Sequence, residues 1–301
     1  AYAESIVLRV LNPDSISVGL NELGINEKLL EVIMHEITRP NGMILITGPT
    51  GSGKTTTLYA FMRKIHTPEV KIITIENPIE YHLPGIVQTQ TDEKKEYGFA
   101  EGLRSALRQD PDVIMVGEIR DSETADIAIN SALTGHLVFS TLHTNNAAGT
   151  FPRLIDLDVN SKILSSAINL AMAQRLVRKL CTNCKKQVEL AGADLETIQK
   201  ITNEITDKDY LKGLDLRTVW QSVGCSECNM LGYKGRIGVH EAIIMNEEIE
   251  NAIRENPSER GIKTAAKNQK LLTLVQDGVV KVLAGMTTLD ELKRVVDIEK
   301  E

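Results

Sequence analysis

Gly48-Pro49-Thr50-Gly51-Ser52-Gly53-Lys54-Thr55 fits the pattern G-x-x-x-x-G-K-[ST], the loop that wraps phosphates in nucleotide-binding proteins. Its glycines let the backbone curl until successive N–H groups point inward at phosphate oxygens. Residues 43–47 upstream are apolar and β-branched and predict a short buried strand. Residues 55–64 downstream predict a helix, whose amino end adds a partial positive charge. In that context Lys54 reaches the β- and γ-phosphates, the Thr55 hydroxyl holds Mg²⁺, and Thr56 continues the contact surface. Strand, loop and helix together satisfy the context the motif requires, so a nucleoside triphosphate is the expected ligand.

Working outward, residues 71–75 predict a second buried strand, ending in Glu76-Asn77-Pro78-Ile79-Glu80. Carboxylates at the end of such a strand sit beside the phosphate site of an open α/β sheet, which makes Glu76 and Glu80 candidates for a water or metal shell. Residues 99–107 predict a helix, with Arg104 and Arg108 on one face. Residues 113–116 form a third apolar run ending in Gly117-Glu118-Ile119-Arg120-Asp121, a Walker-B-like strand with Glu118 at its tip. A carboxylate there orients an attacking water or binds Mg²⁺ through water, while Asp121 reads as the cap of a helix over 122–133. A fourth strand, 137–141, is flanked by His136 and His143. His143, at its carboxyl end, is placed to contact a γ-phosphate or relay its loss; for His136 a purely structural hydrogen bond is an equal reading. Strands alternating with helices mean a parallel sheet.

On the amino-terminal side, Asn26 is a candidate cap for a helix over 26–38. Residues 1–20 read as the end of a preceding domain, a strand carrying Arg9 followed by a linker. With no initiator Met, the chain reads as a fragment of a longer protein. On the carboxyl side, residues 165–178 predict a helix running into Cys181-Thr182-Asn183-Cys184, and a second pair follows at Cys225-Ser226-Glu227-Cys228. Each C-x-x-C offers two thiolates in one tight turn, and two such turns complete a tetrahedral structural Zn²⁺ site. All four cysteines of the chain are used in it. Arg175, Arg178, Lys179, Lys185 and Lys186 are expected around the first pair as a solvated basic face. Residues 188–219 read as an inserted helical piece, and 247–297 as a helical tail.

Composition excludes several classes. The 301 residues are 42% hydrophobic and 25% charged, ordinary for a globular protein of one or two domains. No apolar run approaches the roughly 18 residues of a membrane span, and no signal segment is visible. The net charge of −7 argues against a broad nucleic-acid-binding face. Reduced thiols and nucleotide chemistry point to the cytosol.

In order along the chain, the phosphate loop, Ile75-Glu76-Asn77-Pro78-Ile79-Glu80-Tyr81, residues 107–121, residues 134–145 and the paired C-x-x-C resemble the secretion ATPases of type II secretion and type IV pilus assembly. There these blocks are called the Walker A loop, aspartate box, Walker B, histidine box and tetracysteine motif. The resemblance covers the chain beyond residue 20. It implies an α/β fold with a RecA-like P-loop core, a tetracysteine insert and a C-terminal helical subdomain, divided at 1–20, 21–178, 179–238 and 239–301. It implies a homohexamer that hydrolyses ATP with Mg²⁺. Glu76 is then the water-activating base and Glu118 the Walker B acid; Glu80, Arg120 and His136 lie around the nucleotide, and Arg9 reaches it across a domain join. Retraction motors usually lack the cysteines, so the insert resembles that of secretion and extension motors. The implied partners are inner-membrane platform and adaptor proteins, met from the cytoplasmic side, with no nucleic acid. One departure stands out: the family usually has Asp where this chain has Asn77, and an amide carries no charge for Mg²⁺ or water. Two other functions compete with that reading, a hexameric nucleic-acid motor and an ATP-binding scaffold with weak hydrolysis.

Overall fold

The structure is a computed structural model that describes residues 18–298 together with Glu4 and Ile6; Arg9 and the strand expected around it lie outside the described residues. Strand β1, Gly42–Thr47, is buried along its whole length. It sits inside a seven-stranded sheet with β2 (Ile72–Glu76), β3 (Val87–Gln90), β4 (Val113–Val116), β5 (Leu137–Leu142), β6 (Ile168–Leu180) and β9 (Tyr233–Ile244), in the order β3-β2-β4-β5-β1-β6-β9. All neighbours run parallel except β9, which is antiparallel to β6. Side chains alternate between the two faces, so each strand feeds two cores. Met43 and Leu45 join Leu103, Ile129 and Phe151 on one face, while Ile44 and Ile46 join Ile33, Leu58 and Phe61 on the other.

The expected helices fall into place around this sheet. The helix after the phosphate loop is Lys54–Ile65, followed by Phe99–Leu107 and Ser122–Leu133. Asn26 caps Glu27–Glu36 by accepting from the Leu29 N–H at 3.0 Å. Asp121 caps Ser122–Leu133 through the Thr124 N–H at 2.8 Å. The tail is four helices, Glu247–Glu255, Glu259–Ala266, Leu274–Leu283 and Leu289–Val295, each with an Asn, Ser or Thr cap.

One expectation is overturned. Residues 165–178 are not a helix leading to the cysteines: the helix Ser161–Ala167 stops, and Ile168–Leu180 is a strand. Leu, Ala, Met, Gln and Arg favour a helix locally, but this segment fills the gap between β1 and β9 and pairs with both. Backbone ladder bonds and burial on two faces override a propensity of a few tenths of a kcal/mol per residue. The sheet therefore extends across residue 238, inside β9. The segment between the cysteine pairs is only partly helical. Helix Gly192–Glu204 lies between β7 (Lys186–Glu189) and β8 (Thr218–Gln221), an antiparallel pair bracketed by the two C-x-x-C turns.

Candidate nucleotide site and metal centre

Because β1, β4 and β5 are parallel and in register, their carboxyl ends deliver three segments to one edge of the sheet. Thr47 stands opposite Leu142, and Val116 opposite Ser140. The phosphate loop leaves β1, Gly117-Glu118 leaves β4 and His143 leaves β5. The Thr47 hydroxyl ties two of these together, 2.6 Å from that of Thr144 and bonded to the Thr144 N–H at 2.8 Å.

The loop itself is shaped by close approach. A Cβ on Gly48, at φ +147°, would stand 2.5 Å from the carbonyl oxygen of Gln174. Gly53, at φ 89°, is the residue before the helix and offers no side chain to its free N–H groups. Those uncapped donors are what an anion takes at a helix start. The Ser52 hydroxyl is buried and has no partner. Lys54 Nζ folds back onto its own loop, donating to Gly48 O at 2.8 Å and Pro49 O at 3.2 Å. Burial lowers its pKa, Glu118 opposes that shift and Arg175 adds to it. Uncapped donors, an orphaned hydroxyl and a lysine resting on carbonyls fit a polyphosphate. Thr55 and Thr56 are half-buried at the same turn.

Glu118 is largely buried and pairs with Arg120 at 2.6 Å, and its other oxygen stands 3.4 Å from His143 Nε2. These three expected residues do converge. Glu76 does not join them as an open base. It is 3% exposed and accepts from the Tyr59 hydroxyl, from Thr74 Oγ1 at 2.5 Å and from Gln88 Nε2 at 2.9 Å. A general base must reach the proton it takes, and this carboxylate is closed off by three donors. Its burial partner Tyr59, on the loop helix, has its pKa raised by desolvation and by Glu76. Glu80 is half-buried nearby and adds to the same shift. His136 is the second correction. It lies at the amino end of β5, roughly 20 Å of strand away from the loop edge, and its Nδ1 bonds Ser131 O at 3.1 Å. Strand polarity puts the two histidines at opposite edges of the sheet, so His136 is not part of the loop site within this chain.

Two residues at the site escaped the sequence reading. Gln174 is buried and accepts from Thr57 Oγ1 at 2.8 Å. Arg175 was expected beside the cysteines but lies against the loop, with Nη2 donating to Asn145 O at 2.6 Å. Only the knowledge that β6 is a strand parallel to β1 brings this pair to Gly48.

The cysteine sulfurs all lie within 4.8 Å of one another. Cys181–Cys225, Cys184–Cys228 and Cys225–Cys228 are 3.9, 3.8 and 3.7 Å apart. A Zn–S bond of about 2.3 Å in a tetrahedron requires sulfur edges of about 3.8 Å. The N–H groups of Gly224 and Gly232 donate to Cys184 and Cys228 at 3.3 and 3.2 Å, the outer support a thiolate centre uses. Donor type and spacing fit Zn²⁺. A cavity of about 720 Å³ lies elsewhere, between helix Gly192–Glu204 and the tail helices.

The family profile described as Type II/IV secretion system protein matches residues 1–294. This chain belongs to that family. Within it, the chain is 44% identical over 299 residues to the type II secretion system protein E of Pectobacterium carotovorum, covering 99% of this chain and 57% of that protein. It is 42% identical over 294 residues to the type IV pilus assembly ATPase PilB of Acinetobacter baylyi, covering 98% and 49%. The chain thus spans about half the length of these relatives. Among solved structures, it superposes on the pilus retraction motor PilT with bound ADP at a TM-score of 0.66 and 30% identity, over 96% of this chain and 69% of that one. The ATPase DotB of Legionella pneumophila gives 0.63 and 25%, over 93% and 65%. The chain itself has an α/β core with a mostly parallel sheet, and its four cysteines cluster within metal-binding distance. Among the described residues no helix is long and apolar enough to cross a membrane.

Proposed function

We propose that this chain is the motor region of a Mg²⁺-dependent ATPase that drives pilus or pseudopilus subunit assembly, working as a homohexamer. The observation that carries the reading is the convergence, at one sheet edge, of an uncapped phosphate loop with Glu118, Arg120 and His143. Loop N–H groups and the Ser52 hydroxyl bind the phosphates, and Lys54 moves from its carbonyls to the β- and γ-oxygens. Thr55 holds Mg²⁺, which when bound neutralises charge on those oxygens. Glu118, paired with Arg120 and His143 at the loop edge, orients the attacking water; this moves the base assignment from Glu76, which instead anchors Tyr59 on the loop helix. Arg120 and His143 sense the γ-phosphate through Glu118. Arg9 and His136 are left to contacts between domains or subunits.

The same reading divides the chain into an ATPase core, a zinc-stabilised insert and a helical tail, with the insert lying between β6 and β9, because the expected boundaries at 178 and 238 fall inside those two strands. Zinc in the Cys₄ cluster stabilises the insert and does no chemistry. The chain works on the cytoplasmic face of the inner membrane, docked on platform and adaptor proteins. The relatives' names support secretion and pilus assembly alike, and the acidic net charge of −7 disfavours a nucleic-acid track.

The test is Mg²⁺-dependent ATP hydrolysis per chain over a wide range of protein concentration, with binding of a fluorescent ADP analogue measured in parallel. The expected result is a specific rate that climbs with concentration, falls at least 100-fold in Glu118→Gln, and is lost with binding in Lys54→Ala. Absence of nucleotide binding in the unmodified chain would overturn the proposal.

A further inference from the structure

Glu241 lies on β9, opposite Ala173 of β6, and belongs to none of the motifs in the sequence. Its side chain is buried, and each oxygen has a separate backbone task. Oε1 accepts from the Ala147 N–H at 2.6 Å, and Oε2 accepts from the Leu274 N–H at 3.0 Å. Leu274 is the first residue of the tail helix Leu274–Leu283. Ala147 is in the loop that begins with His143 beside Glu118. Two residues before it, Asn145 O receives Arg175 Nη2, and Arg175 Nη1 donates to Gln174 O at 3.0 Å, against Gly48. Glu241 also acts on Arg175 by charge, opposing the loss of basicity that burial causes. A second tie runs the same way: Asn146 Nδ2 donates at 2.6 Å to Glu259, on helix Glu259–Ala266.

We propose that Glu241 is a positioning residue that couples the tail helices to the nucleotide site by holding loop 143–149 and Arg175 against the phosphate loop. A carboxylate suits the position because two N–H groups converge on it from two elements. An amide of the same size satisfies one of them and turns an NH₂ toward the other, leaving a buried donor unpaired. It also removes the charge that faces Arg175. When a tail helix shifts, the Leu274 N–H moves the carboxylate, and the carboxylate moves the loop. The inference rests on the nucleotide-site reading, and its geometry is testable without nucleotide.

The experiment compares the unmodified chain with Glu241→Gln, Arg175→Ala and the double variant, using Glu291→Gln as a buried-carboxylate control remote from the loop. Hydrogen exchange is recorded without nucleotide, and affinity for a fluorescent ADP analogue is measured on the same samples. In Glu241→Gln the amides of both 143–149 and 48–54 are expected to exchange about tenfold faster, with nucleotide affinity falling about tenfold, the scale of one charge-assisted bond. In the Arg175→Ala background the same change is expected to cost less than twofold, because the link is already cut. Glu291→Gln is expected to lower thermal stability and leave 48–54 protected. Faster exchange at 48–54 in a chain that binds no nucleotide would refute the proposed function and uphold the coupling. Unchanged exchange at 48–54, or additive losses of affinity in the double variant, would overturn the coupling whatever the chain binds.

Discussion

Replacing Glu291 by Gln tests how the tail is fastened to the sheet. This carboxylate is fully buried on helix Leu289–Val295, while its partners Arg178 and Arg294 are 48% and 59% exposed. It accepts from the Arg178 N–H and Nε, both at 2.9 Å, and from Arg294 Nε and Nη2 at 3.0 and 2.7 Å. Arg178 also lies over the Tyr233 ring at 4.2 Å. Burial alone would push the carboxyl up; the two guanidiniums and the N–H outweigh it and hold Glu291 at about 2, against an ordinary 4.5. At 1.36 kcal/mol per unit, that depression corresponds to about 3.4 kcal/mol of stability. Half-exposed guanidiniums are screened by water, which brings the expected value to about 2 kcal/mol. Since the folded value is the depressed one, the stabilisation is fully present above pH 4.5 and disappears as pH falls toward 2. Urea unfolding should therefore show Glu291→Gln less stable by about 2 kcal/mol at pH 7, with an unchanged slope, and the gap shrinking to about a quarter of that by pH 2.5. A gap that is absent at pH 7, or that stays constant down to pH 2.5, would refute the electrostatic account of this clamp.

Two further outcomes follow from the site. Cys184→Ser leaves three thiolates, so metal analysis should drop below one zinc per chain, and insert amides 181–232 should lose exchange protection at neutral pH. Zinc retained at full stoichiometry would argue against a four-sulfur centre. Asn77→Asp restores the family's carboxylate at an exposed position beside Glu76. If that charge assists Mg²⁺ or water, turnover should rise severalfold with nucleotide affinity little changed. No change in rate would clear the amide of any part in slowing hydrolysis.

Local patterns were enough for much of this protein. The eight residues of the phosphate loop need only their own glycines, a preceding apolar run and a following helix, all within reach of short-range chemistry. Strands β1, β2, β4 and β5 are short apolar runs between turns, and Asn26 and Asp121 bond N–H groups three residues away; such features are written where they act. The paired C-x-x-C is long-range, yet thiolate pairs have so few uses that the partner could be inferred from composition. What sequence could not decide was anything settled by the neighbour across the sheet. Residues 168–180 have helical propensity and became a strand because β1 and β9 offered two ladders. That one change carries Gln174 and Arg175 to Gly48. It also places Glu241 under the loop that His143 begins. Strand direction puts His136 at the edge of the sheet opposite the phosphate loop, and burial under Tyr59, Thr74 and Gln88 closes Glu76, which reads as an open acid. Spacing along the chain names the residues able to do chemistry, but only packing determines which of them face the same space, because register and burial are properties of pairs of segments.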